Sequence, residues 1–118
     1  MAIRGIHHVS LNVHDTEEAG RFYLDVLGFR PLDRPAFGFP GMWLETPDGR
    51  QVHLIEVEDH EAPDGQHFAL LVDDIDATVA ELRGRGAEVG DPYPVGAGRQ
   101  AFFHDPAGNL IELNCPGG

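Results

Sequence analysis

His8, His53, His67 and Glu112 are the residues whose types and spacing could hold a metal ion. One offset carries His8 onto His67 and His53 onto Glu112, since 67 − 8 and 112 − 53 are both 59. Imidazole and carboxylate together suit a first-row divalent ion, and three neutral imidazoles with one carboxylate would leave a centre of about +1 charge. Such a centre keeps positions open for a substrate's oxygens and stabilises negative charge as it develops. One divalent ion per site is therefore expected, with Zn, Ni, Mn and Fe all compatible with this ligand set. Ser10, Trp43 and Phe102 are candidates for the walls of a small-molecule substrate pocket, and Trp43 falls on Phe102 by the same offset. Ordinary core packing is the competing role for these three.

The elements that must position these residues come from the same repeat. His8-Val-Ser-Leu-Asn-Val13 followed by Asp15 matches His67-Phe-Ala-Leu-Leu-Val72 followed by Asp74, and Pro47 to Leu54 falls on Pro106 to Leu113. Two halves related without net insertion are a duplicated module. Residues 8–13 alternate apolar Val9, Leu11 and Val13 with polar positions, which predicts a strand with two different faces. Asp15 and Glu18 make a capping-box pattern before an apolar stripe through Ala19, Phe22, Tyr23, Val26 and Leu27, so a helix should run until Gly28. In the second half Asp74 caps a stripe of Ile75, Val79 and Leu82 that Gly86 closes. Further strands are expected over 29–33, 42–46 and 51–57, then over 87–89, 99–104 and 109–115, with hairpin turns at 47–49 and 105–108. The fold class is thus α+β, two tandem βαβββ modules over about 5–58 and 66–116 within one domain, 1–118. An acidic linker at residues 56–61 separates them.

Period-2 alternation also sets the facing. His8 and His67 lie opposite the apolar residues that would pack under a helix, and His53 and Glu112 divide from their flanking Val52, Leu54, Ile111 and Leu113 in the same way. All four side chains should then point to one inner surface. By the same parity His7 falls on the far side of the first strand, so His7→Ala should keep both metal and activity, whereas His67→Ala or Glu112→Ala should lose them. His14 and His60 are expected to be ordinary surface histidines; His104 is either a pocket residue or an exposed neighbour of the turn. Metal binding should weaken as pH falls through about 6.5, because imidazole must be neutral to ligate.

Composition narrows the class further. A chain of 118 residues with 42% hydrophobic residues can bury one ordinary core. Cys115 is the sole cysteine, which excludes an intrachain disulfide and a cysteine-rich metal site, and all 8 basic residues are arginine, which excludes a Schiff-base lysine. A net charge of −12 with no basic patch argues against nucleic acid. No apolar run approaches the roughly 20 residues of a membrane span, and no signal-peptide core follows Met1, so no membrane partner and a cytoplasmic location are expected.

These residues resemble the vicinal-oxygen-chelate superfamily, which includes glyoxalase I, extradiol dioxygenases, and the fosfomycin and bleomycin resistance proteins. The likeness rests on His8-Val-Ser-Leu-Asn-Val, Phe22-Tyr23 with Leu27-Gly28-Phe29, His67-Phe-Ala-Leu-Leu-Val and Asp105-Pro-Ala-Gly-Asn-Leu-Ile-Glu112-Leu, and is greatest to small glyoxalase-I-like proteins. It implies the glyoxalase/bleomycin resistance/dihydroxybiphenyl dioxygenase fold, with His8, His53, His67 and Glu112 in the ligand positions. It further implies a metal-dependent lyase or isomerase in which Glu112 is also the catalytic base, and a homodimer, since family members often pair modules across subunits. Two positions depart from glyoxalase I: His53 stands where glutamate is common, and Asn12 where an arginine recognises glutathione. Extradiol dioxygenases share a triad at His8, His67 and Glu112, and fosfomycin thiol transferases place a Trp much as Trp43 would sit but add a C-terminal arm. Bleomycin-type binders hold drug in an apolar groove and dispense with the metal ligands.

Overall fold

The computed structural model describes residues 1–117, which form two compact units, Met1–His60 and a second beginning at Glu61. The division falls inside the acidic linker, where a run of like charge disfavours packing.

In the first unit β1 (His8–Val13) leads into α1 (Thr16–Arg21), a π-helical turn (Phe22–Val26), β2 (Arg30–Leu32), β3 (Gly41–Glu45) and β4 (Gln51–Glu56). In the second, β5 (His67–Leu71) leads into α2 (Ile75–Gly84), β6 (Tyr93–Val95), β7 (Gly98–His104) and β8 (Leu110–Cys115). The sheet orders are β1-β4-β3-β2 and β5-β8-β7-β6, with β1–β4 and β5–β8 parallel and the rest antiparallel. Registers repeat as well as order: Ser10 lies opposite His53 and Ala69 opposite Glu112, while Trp43 lies opposite His53 and Phe102 opposite Glu112. Because side chains directly opposite share a face, each unit has one site-bearing face and one helix-bearing face. The α+β class and the two tandem modules are thus what the chain forms.

The helix-bearing faces hold the cores. Val13, Tyr23, Leu44 and Leu54 are fully buried in the first unit, as are Ala101, Ile111 and, nearly, Leu113 and Phe103 in the second. Gly20 lets α1 lie close over β3, since a Cβ there would meet the Met42 Cε at 2.6 Å. Asp15 caps α1 through its Oδ1, which accepts from the amides of Glu17 (2.9 Å) and Glu18 (3.1 Å). The Glu56 carboxylate at the end of β4 accepts from the Thr16 amide and hydroxyl, tying the same helix start to the sheet. In the second unit buried Asp105 organises the turn before β8, accepting from the amides of Ala107 and Asn109 and from the Asn109 side chain. That turn sets the register that carries Glu112.

Two expectations are corrected. The first helix does not run as one α-helix to Gly28: after Arg21 it widens, and the Leu27 amide donates to the Phe22 carbonyl five residues back. Residues 87–89 form no strand. Arg83 donates through Nε and Nη2 to the Val89 carbonyl (3.1 and 2.7 Å), which removes that carbonyl from any ladder, and the edge strand forms later, at Tyr93–Val95. Among the described residues no helix is long and apolar enough to cross a membrane.

Candidate metal centre

In the second unit the paired strands β5 and β8 bring His67 against Glu112, with Nε2 to Oε1 at 3.0 Å. Glu112 is buried, 7% exposed. The other ring nitrogen, Nδ1, donates to the Gly65 carbonyl at 2.8 Å, so in the neutral ring Nε2 carries the lone pair. A lone pair and a carboxylate facing each other at this distance need a positive charge on or between them, either a proton or a metal ion. The spacing is also about that of two neighbouring ligand atoms each roughly 2.1 Å from one ion. Asn114 Nδ2 donates to the remaining carboxylate oxygen at 2.8 Å, completing the outer hydrogen bonds that orient metal ligands. This pair fits a metal.

The first unit arranges its pair differently. His53, 8% exposed, lies in a stack of three rings, 4.3 Å from Trp43 at 8° and 4.0 Å from His8 at 15°. Its Nε2 donates to the Gln51 side-chain oxygen at 2.7 Å, which leaves Nδ1 bare. Parallel rings do not aim their in-plane lone pairs at one point, so His8 and His53 fit a shared ion only once one ring turns. His8 is exposed and has room to do so. Each unit therefore supplies two of the four expected ligands, and among the described residues no group of three or more His, Cys, Asp and Glu is gathered.

The facing expected for His7 is not the one the structure shows. It precedes β1, so strand alternation does not set its direction, and its Nδ1 lies 2.9 Å from that of His8, with the rings edge to face at 5.2 Å. His14 bonds the His60 carbonyl through Nε2 at 2.6 Å, away from either pair. His104 ends β7 exposed beside the turn. Ser10 is exposed across from His53, and Phe102 meets the His67 ring edge to face at 5.2 Å. Gln51 and Asn114 escaped the sequence-based list, although a period-2 search two positions either side of each ligand would have found them.

Burial first, then the positive groups at His8, His7 and Arg34, hold the His53 imidazole below its ordinary value of 6.5. The fold thus favours the neutral, ligating form. A depressed histidine pKa gives stability that is complete above about 6.5 and is lost as pH falls through the folded value. Melting temperature should therefore fall more steeply below pH 6.5 in the wild type than in His53→Gln; equal slopes would contradict the shift.

A model of the glyoxalase/bleomycin resistance protein/dioxygenase superfamily matches residues 5–113. The lactoylglutathione lyase of Haemophilus influenzae is 34% identical over 122 residues, spanning 92% of this chain and 90% of that protein. An antibiotic-binding protein from Streptomyces sp. CB03234 superposes with a TM-score of 0.85 at 34% identity, covering 98% of each chain. A glyoxalase-family protein from Bacillus anthracis superposes with a TM-score of 0.87 at 27% identity, over 98% of this chain and 97% of that one. With the family match running through both repeats and the duplicated sheets superposing on its members, the chain belongs to the glyoxalase/bleomycin resistance protein/dioxygenase superfamily.

Proposed function

We infer that this protein is a divalent-metal-dependent lyase or isomerase that moves a proton beside a metal-chelated oxygen of a small carbonyl or hemithioacetal substrate. The observation that supports the reading is the His67 Nε2 facing buried Glu112 at 3.0 Å, a spacing that a proton or a metal ion can bridge, with outer hydrogen bonds to Gly65 and Asn114 already made. His67 and Glu112 would hold the ion. Two ligands do not fill a coordination sphere, and the repeat-equivalent His8 and His53 would supply the others. A bound divalent ion supplies Lewis acidity to the chelated substrate oxygen. Glu112 takes the proton from the carbon next to that oxygen and returns it to the neighbouring carbon, as a carboxylate held by one hydrogen bond on Oε2 can do. The likeness to a lactoylglutathione lyase supports this class of chemistry.

A homodimer belongs to the same reading. Leu71, Tyr93 and Val95 leave apolar area exposed on the second unit's sheet, and a second copy would cover it. A metal-free binding role is the second reading, favoured by the three-ring stack of the first unit and by the likeness to an antibiotic-binding protein.

Reconstitution separately with Ni(II), Zn(II), Mn(II) and Fe(II) separates these readings. Solvent deuterium should enter a methylglyoxal hemithioacetal with at least one metal, without oxygen uptake on catechols. Catechol-dependent oxygen uptake with Fe(II) and no exchange with any metal would instead make the protein a dioxygenase. No turnover of either kind would favour the binder.

A further inference from the structure

We propose that the first unit carries a binding pocket for a small aromatic carboxylate, with Arg34 as its anion-recognising residue. The pocket has a volume of about 140 Å³, and Ser10, Arg34, Phe37, Phe39, Trp43 and His53 are among the side chains that line it. Its size is close to that of a cavity that accepts benzene, so it has room for one ring.

Arg34 is the reason for expecting charge on the ligand. Its guanidinium carbon sits 4.9 Å from the Phe37 ring centre and 5.0 Å from that of Phe39, held by the rings rather than by an acid. Nη2 is buried and has no hydrogen-bond partner among the described residues. That is costly in itself, because a desolvated guanidinium donor without an acceptor forfeits its hydration. It is also unexpected in a chain with 20 acids and 8 bases, where a carboxylate partner would be easy to supply. The sequence makes room for this placement at Gly41, where a Cβ would lie 2.8 Å from Nη2 and 2.4 Å from the Leu54 carbonyl oxygen.

The rest of the lining selects among anions. A guanidinium fork matches a carboxylate or a phosphate in two parallel hydrogen bonds. Trp43 and the Phe37 and Phe39 pair, whose rings lie 5.5 Å apart, offer faces for a flat apolar body that phosphate lacks. The protein's net charge of −12 also repels a dianion more than a monoanion. The pocket shares His53 with the metal centre proposed above and so deepens that reading, but Arg34, Phe37, Phe39 and Trp43 all belong to the first unit and ring and carboxylate recognition by them needs no metal.

Trp43 is the sole tryptophan and lines the pocket, so its fluorescence reports occupancy directly. Benzoate, benzamide and inorganic phosphate are titrated into the wild type in EDTA, and benzoate into Arg34→Met and Arg34→Lys, each first shown to melt cooperatively. Benzoate should give a saturable change in the wild type. Benzamide, and benzoate on Arg34→Met, should bind about tenfold or more weakly, Arg34→Lys should fall between, and phosphate should not saturate. The proposal is overturned if benzoate does not saturate, if benzamide matches it, or if phosphate binds as tightly. Should Arg34→Met not fold, the comparison of benzoate with benzamide on the wild type decides alone. Because EDTA is present throughout, a negative result here leaves the metal centre untouched, and loss of the metal centre leaves this result readable.

Discussion

Glu112→Gln is expected to lower solvent exchange into the hemithioacetal by about 10²- to 10⁴-fold, the range for loss of a positioned general base. The change keeps the size of the side chain and removes its charge. Glu112 is expected to do two things, to ligate and to move the proton, and a neutral amide does neither well. The buried position matters, because a carboxylate 7% exposed has little water to replace the lost partner of His67. Asn114→Ala, which removes only the hydrogen bond to the carboxylate, should cost about 10- to 100-fold in metal affinity or rate. His104→Ala, on the same sheet face but on β7 and exposed beside the turn, should leave both unchanged. Full exchange and full metal content in Glu112→Gln would remove the carboxylate from the mechanism.

Phe103→Ala should destabilise the fold by about 3–5 kcal/mol, a large part of the roughly 5–15 kcal/mol that holds a domain together. Phe103 is 2% exposed on the helix-bearing face of β7, and α2 turns its buried Ile75, Val79 and Leu82 inward over that sheet. Truncation leaves a cavity that the two layers cannot close without moving the helix. Phe102→Ala, one residue earlier, removes a half-buried ring from the site-bearing face and should cost about 1 kcal/mol. Urea unfolding measures both, with the midpoint shifting and the slope unchanged. Equal losses would mean that the faces of β7 are misassigned.

The contrast between Phe102 and Phe103 shows why so much was legible in the sequence. Alternation on each strand decides which residues are buried, and the offset between the halves repeats that decision, so the order of elements along the chain, the match between the two halves and the facing of His8, His53, His67 and Glu112 within their strands follow from two regularities. What escaped lies where those regularities stop. Tyr93–Val95 hid behind Pro94, because proline reads as a break and is tolerated only on an edge strand such as this one. Arg83 took the Val89 carbonyl through space, which no local pattern announces. His7 lay one residue outside its strand, beyond the reach of parity. Arg34 sits in a loop between β2 and β3, where neither period nor repeat applies, and only its missing partner marks it.

The most direct measurement is X-ray absorption at the metal edge of protein loaded with one equivalent of Co(II) or Ni(II), compared with His67→Ala and His53→Gln. The wild type should bind one ion per chain, with scattering from about three imidazoles and one carboxylate at ligand distances near 2.1 Å. His67→Ala should lose the ion, and His53→Gln should retain it more weakly with one imidazole fewer. A wild type that binds no stoichiometric metal, or a coordination shell unchanged in both variants, would contradict the metal centre.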